Sequence, residues 1–118
     1  MPKKILIVDD EKNLVSLLKK ILESNLYKVD CVYDGFEAFK KVTDSKFDLI
    51  LLDIKMPKMD GKEFYKKIKE KKINTPVIIV TGSFMREESE QMVKDGAKDI
   101  VYKPFDVENL LVKIKQYI

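Results

Sequence analysis

Five short apolar runs, each followed by a stretch with helical spacing, constrain this chain more than any other feature. They are KILIV (4–8), KVDCVY (28–33), FDLILL (47–52), PVIIV (76–80) and IVY (100–102). Residues apolar at successive positions bury both sides of a strand, so these runs predict a sheet covered on two faces. The intervening stretches predict the cover. NLVSLLKKILESN (13–25) sets Leu14, Leu17, Leu18, Ile21 and Leu22 on one helical face. Asp34 is a helix cap before a short helix that buries Phe36, Phe39 and Val42. Asp60-Gly61 opens a helix carrying Phe64, Tyr65 and Ile68. REESEQMVKDG (86–96) has a thin apolar face and stops near Gly96. Asp106 caps a last helix with Val107, Leu110, Leu111, Ile114 and Ile118 inward and Val112 outward. Strand and helix alternate five times, which predicts an α/β fold. Its sheet is parallel and doubly wound, with right-handed crossovers and helices on both faces.

The 118 residues suit one domain, 1–118, with one core. A net charge of +3, from basic residues scattered among acids, gives no stripe for nucleic acid. The one cysteine, Cys31, excludes an intramolecular disulfide and reads as a small core residue. There is no histidine, which removes histidine catalysis, histidine metal ligands and phosphohistidine on this chain. No leader pattern is visible and no apolar run approaches the roughly 20 residues of a membrane span. The expectation is a cytoplasmic protein with no membrane and no direct nucleic-acid contact.

In a parallel sheet the residues that follow each strand share one edge, where ligands bind at the switch point of strand order. Here the first strand ends in Asp9, Asp10 and Glu11, and the third in Asp53. The fourth ends in Thr81-Gly82-Ser83, and the fifth in Lys103-Pro104. Crowded carboxylates repel, and a hard cation such as Mg²⁺ relieves that repulsion while keeping sites for water and phosphate. Lys103 and the Thr81 hydroxyl suit the oxygens of an anion beside the metal. Metal, cation, hydroxyl and free carboxylate together suit phosphoryl transfer, with a carboxylate as nucleophile. Two rival sites fit poorly. A flavin phosphate needs a Ser/Thr/Gly-rich first loop, whereas this one is DDEKN. A haloacid-dehalogenase-type phosphatase wants Asp-x-Asp after its first strand, whereas these acids are adjacent.

The segments ILIVDDE, DLILLDIKMPKMDG, VIIVTG and GAKDIVYKPF, in this order, resemble the receiver domain of bacterial two-component response regulators. The likeness covers essentially the whole chain and is similar in length to single-domain chemotaxis and sporulation-phosphorelay regulators. It implies a flavodoxin-like strand order 2-1-3-4-5. It also implies that Asp53 is the phosphoacceptor. Asp10 and Asp53 would ligate Mg²⁺ directly, Asp9 through water, and Lys55 by its backbone carbonyl. Thr81 would be the switch hydroxyl and Lys103 the partner of the phosphoryl oxygens, with Lys103-Pro104 cis. Two positions stand apart. The aromatic often found three residues before the family's lysine is Ile100 here, which has no ring to swing, so coupling is expected through the fourth helix. Two residues after Asp53 stands Lys55, whose charge is expected to shield a phosphoryl group from water, while Ser83 offers little to orient one.

The resemblance further implies a sensor histidine kinase as donor, since this chain has no histidine. Leu14, Pro104 and Phe105 are the candidates for docking it. Output would run through the face made by the fourth helix, fifth strand and fifth helix. The chain stops with its last helix, so a free-standing signalling module is expected, not an enzyme acting on outside substrates. The alternatives are the receiver half of a DNA-binding transcription factor and, less favoured, a metal-dependent phosphatase.

Overall fold

A computed structural model describes all 118 residues. The strands are β1 (Lys4–Val8), β2 (Lys28–Val32), β3 (Leu49–Leu52), β4 (Val77–Gly82) and β5 (Asp99–Lys103). All pair in parallel, in the order β2-β1-β3-β4-β5. The helices are α1 (Lys12–Ser24), α2 (Gly35–Asp44), α3 (Gly61–Glu70), α4 (Arg86–Lys94) and α5 (Val107–Tyr117).

Strand side chains alternate between two cores, as the pleat requires. Leu6, Val8, Ile50, Leu52, Val77 and Ile79 face one core with Ala38 and Val42 of α2, Phe64 and Ile68 of α3, and Met92 of α4. Ile5, Ile7, Leu49, Leu51, Ile78 and Val80 face the other with Val15, Leu18 and Leu22 of α1 and Leu110 and Ile114 of α5. The doubly wound sheet and its strand order are therefore as expected.

Three helices start at aspartates. Asp34, Asp60 and Asp106 accept backbone N–H bonds from Glu37, Glu63 and Glu108 at 2.8, 2.9 and 3.0 Å. Gly96 follows α4 with φ +126°, a conformation open to glycine, and its N–H bonds the Val93 carbonyl.

Two expected core residues lie outside. Leu17 is 54% exposed, because the buried stripe of α1 is Val15, Leu18 and Leu22 and position 17 is turned about 100° from Leu18. Phe36 is 58% exposed. The buried line of α2 is Gly35, Ala38 and Val42, and Gly35 approaches the chain closely enough for its N–H to bond the Met59 carbonyl at 2.9 Å. Cys31 is half-buried, since β2 is an edge strand. Strand ends shift slightly: β3 begins at Leu49, and β4 continues through Thr81 to Gly82 because β5 pairs with both residues. A single 3-10 turn, Ser83–Met85, precedes α4. No helix is long and apolar enough to cross a membrane.

Candidate functional site

The strand order reverses between β1 and β3, so the chain leaves their carboxyl ends in opposite directions and opens a crevice between them. Val8 is in register with Leu52, which places Asp9 and Asp53 side by side. Both backbones are fixed by the sheet: Asp9 N–H bonds the Val32 carbonyl at 3.2 Å and Asp53 N–H bonds the Val8 carbonyl at 2.9 Å.

Asp53, only 7% exposed, has both carboxylate oxygens engaged. Its Oδ1 accepts from the Thr81 hydroxyl at 2.6 Å and the Ile54 N–H at 2.7 Å. Its Oδ2 accepts from Lys103 Nζ at 2.9 Å. Thr81 is fully buried, held in β4 opposite Tyr102. The same Lys103 ammonium donates to Asp9 Oδ2 at 2.8 Å and to Glu11 Oε1 at 2.6 Å. Asp9, Asp10 and Asp53 each offer a carboxylate oxygen, all within 4.8 Å of one another, with Asp10 on the exposed side. This is a hard-oxygen donor set of the kind Mg²⁺ takes. The Lys103-Pro104 bond is cis.

Burial and charge pull these groups in opposite directions. Burial pushes the Asp9 carboxyl up to about 6, further raised by the neighbouring Asp53 charge and only partly offset by bonds from Lys103 and the Glu11 N–H. For Lys103 burial acts the other way, but the hydrogen bonds to Asp9, Glu11 and Asp53 outweigh it and hold the ammonium above the ordinary lysine range. One cation thus only partly offsets the charge of a site with more acid than base.

The cavity over these groups has a volume of about 540 Å³, lined by Asp10, Glu11, Asp53, Lys55, Gly82, Ser83, Phe84, Lys103 and Pro104. One wall is the loop after β3. It turns back so tightly that Gly61 N–H bonds the Ile54 carbonyl at 2.7 Å, and a Cβ on Gly61 would collide with the Asp53 carbonyl oxygen. Lys55 sits on that loop, with its Nζ 5.8 Å from the centroid of the Phe84 ring.

The sequence brings Asp9, Asp10, Asp53, Thr81 and Lys103 to one edge, and the structure joins them. Glu11 belongs with them, although the acidic run alone assigned it no role. It occupies the N-cap position of α1 yet makes no capping bond, because its carboxylate is on Lys103. Ile100 is half-buried against the core shared with α2, α3 and α4. The aromatic of β5 that meets α4 is Tyr102: its hydroxyl shares a 2.9 Å hydrogen bond with the buried Ser89 hydroxyl, and the Arg86 guanidinium lies 4.8 Å from its ring centroid. Leu14, Pro104 and Phe105 do meet, lining an apolar cavity of about 210 Å³ with Leu17, Leu18 and Val107. Val112 is 63% exposed on α5.

Residues 5–115 match the family model of the response regulator receiver domain. The response regulator ArlR of Staphylococcus saprophyticus is 39% identical over 112 residues, 95% of this chain and 50% of that protein. The chain therefore spans about half the length of the curated relatives it matches. Among solved structures, the response regulator TrrA of Thermotoga maritima in complex with Mg²⁺–BeF superposes with a TM-score of 0.87 at 36% identity, covering 98% of this chain and 99% of that one. A CheY-like receiver domain protein from Methanospirillum hungatei gives a TM-score of 0.91 at 35% identity, over 98% and 93% of the two chains.

Proposed function

Because the chain belongs to the response regulator receiver domain family, we propose that it accepts a phosphoryl group on Asp53 from the phosphohistidine of a sensor kinase or relay protein. The observation that carries this reading is the Asp53 carboxylate held between the Thr81 hydroxyl and the Lys103 ammonium at the floor of an open cavity. An Asp53 oxygen attacks phosphorus, the P–O bond forms as the donor P–N bond breaks, and the imidazole leaves. Thr81 and Lys103 are placed to hold the transferred oxygens, and positioning with charge neutralisation supplies most of such catalysis. Asp10, Asp53 and the Lys55 backbone carbonyl are the direct ligands we assign to Mg²⁺, with Asp9 acting through water. Held by these residues, the ion would supply positive charge beside the phosphoryl oxygens.

Phosphorylation would switch protein contacts through α4, β5 and α5, where Tyr102 ties α4 to the sheet. Leu14, Pro104 and Phe105 would dock the kinase. In this reading the protein is a self-phosphorylating acceptor in the cytoplasm and not an enzyme on outside substrates. A second reading, the receiver half of a DNA-binding regulator, is favoured by the half-length match to ArlR. The coding sequence that follows residue 118 in the genome decides between them.

Incubation with a small phosphodonor and Mg²⁺ is expected to add one base-labile, acid-stable phosphoryl group, seen by intact mass. No addition with either a small donor or a phosphorylated kinase would overturn the reading.

Acidity sets a further expectation. The Asp9 carboxyl titrates at about 6, above its ordinary 3.8. Binding of a cation to the ionised cluster releases that proton below pH 6, so Mg²⁺ affinity is expected to be flat above pH 7 and to fall by up to ~tenfold per unit below 6. The sign for folding is opposite. A carboxyl raised by the fold stabilises the metal-free protein most below pH 3.8, and that contribution is lost as pH rises through 6. Mg²⁺ titrations at pH 5 and pH 8 check this, and equal affinities would contradict it.

A further inference from the structure

Asp53 stands at the carboxyl edge of the sheet, and another polar cavity opens at the amino edge, where the chain enters β4 and β5. Its volume is about 320 Å³, and Tyr65, Lys69, Lys72, Asn74, Thr75 and Lys98 supply its polar lining. No acid lines it. None of the three lysines forms an ion pair with a carboxylate. Ammonium groups that share one hollow repel each other, and an anion among them relieves that repulsion.

The backbone delivers each lysine from a different place. Lys69 lies in the last turn of α3, where a cation also suits the helix dipole. Lys72 lies just past that helix in the left-handed region, φ +59°, where helix ends favour glycine. Lys98 comes from the other side, its N–H fixed on the Val77 carbonyl of β4 at 2.8 Å. The dipole of α3 accounts for a cation at Lys69 but not for the arrival of Lys98 from the sheet.

Tyr65 points to a ligand independently. Its side chain is buried, at 8% exposed, yet its hydroxyl has no hydrogen-bond partner in the protein. Every fully enclosed side-chain polar atom does have one, so this hydroxyl opens on the cavity. Burial, with the charge of Asp95, pushes it above its ordinary 10, which leaves it a donor at neutral pH. A Cβ on Gly96 would stand 2.9 Å from the hydroxyl oxygen and 3.0 Å from the Lys69 ammonium nitrogen. Glycine at 96 thus leaves both donors open to one small anion. The groove between α3 and α4 also borders Tyr65 and Lys69, but Glu70, Glu88 and Asp95 line it as well. An anion is therefore favoured at the sheet edge and not in the groove.

We propose that this cavity binds a small anion of the pyrophosphate class, with Lys69, Lys72 and Lys98 around its charge and the Tyr65 hydroxyl donating to one oxygen. Lysine presents a point charge that suits phosphate oxygens, and three of them match a multiply charged group better than a single one. The volume suits a small molecule. The site is independent of the phosphoacceptor reading.

The test titrates sodium pyrophosphate into the metal-free protein at constant ionic strength, read by amide chemical shifts and calorimetry. Without metal the acids around Asp53 repel the probe, so the two sites stay distinct. Saturable shifts are expected at Asn74, Thr75, Gly96 and Lys98, with inorganic phosphate binding more weakly. Lys98→Gln is expected to weaken binding about tenfold, and Tyr65→Phe about threefold with an unchanged melting temperature. Lys20→Gln removes an equal charge from the exposed face of α1 and is expected to leave the affinity at the wild-type value. Shifts that grow without saturating, or equal losses in Lys20→Gln and Lys98→Gln, would mean a solvated lysine surface with no site. Wild-type affinity in either Lys98→Gln or Tyr65→Phe would also overturn the proposal.

Discussion

Asp53→Asn is expected to abolish phosphoryl uptake from every donor while leaving the protein folded. The amide is nearly the same size as the carboxylate but has no anionic oxygen to form the P–O bond. Its carbonyl oxygen can still accept from Thr81 and Ile54, the two donors on Oδ1. Its NH₂ group then faces Lys103, a donor against a donor, so one charge-assisted bond is lost. Opposing that loss, the substitution removes the Asp53 charge that raises the Asp9 carboxyl. The two effects leave stability within about 1 kcal/mol of wild type. Intact mass after incubation with donor and Mg²⁺, beside a denaturant melt, measures both. Phosphoryl uptake by the variant at the wild-type rate would place the acceptor elsewhere.

Much of this site is legible in the sequence because its parts are local. Alternation within a strand is a property of neighbouring residues, and so is the position of Asp53 immediately after LILL. Asp34, Asp60 and Asp106 act on N–H groups two or three residues ahead, which also makes their roles readable. Placing Asp9, Thr81 and Lys103 beside Asp53 needs only the rule that parallel strands share a carboxyl edge. What escapes the sequence is choice among partners. Glu11 occupies the N-cap position of α1, and nothing local says that its carboxylate goes instead to Lys103, 92 positions away. Leu17 and Leu18 are equally apolar, and only the line of contact with the sheet decides that Leu18 is inside. The place of the Phe84 ring, over Gly82 and beside Lys55, depends on how the loops after β3 and β4 come together. The presence of Tyr102 is visible in the sequence, but its bond to Ser89 depends on how α4 lies on β5.

The second large effect is expected at Lys103. Its ammonium bonds Asp9, Glu11 and Asp53, and its side chain is 16% exposed. Lys103→Met keeps the apolar stem and removes the only cation bonded to these acids. Glu11 is well exposed and water can replace the lost partner. Asp9 and Asp53 are buried, and for them water can do so only in part, from the cavity side. Leaving buried carboxylates without their counter-charge is strongly destabilising, and about 2–3 kcal/mol is expected at neutral pH without Mg²⁺, less than for a fully enclosed pair because the cavity is open. The penalty belongs to the ionised carboxylates, so it is expected to shrink as pH falls and Asp9, which is held still higher once Lys103 no longer lowers it, takes up its proton. Millimolar Mg²⁺ is expected to recover part of the loss by binding the folded acids in place of the lysine. It is not expected to recover the chemistry, because the phosphoryl oxygens still lack their ammonium partner, and transfer should slow by roughly 100-fold. Lys103→Arg separates the two functions. It keeps the charge, and so most of the stability, but a planar fork cannot copy a point charge shared among three acids, so transfer should remain impaired. Denaturant melts at pH 5 and pH 7.5, with and without Mg²⁺, together with phosphorylation rates, resolve each part. If Lys103→Met melted like wild type at pH 7.5 in metal-free buffer, Lys103 would not be the counter-charge that keeps these acids buried.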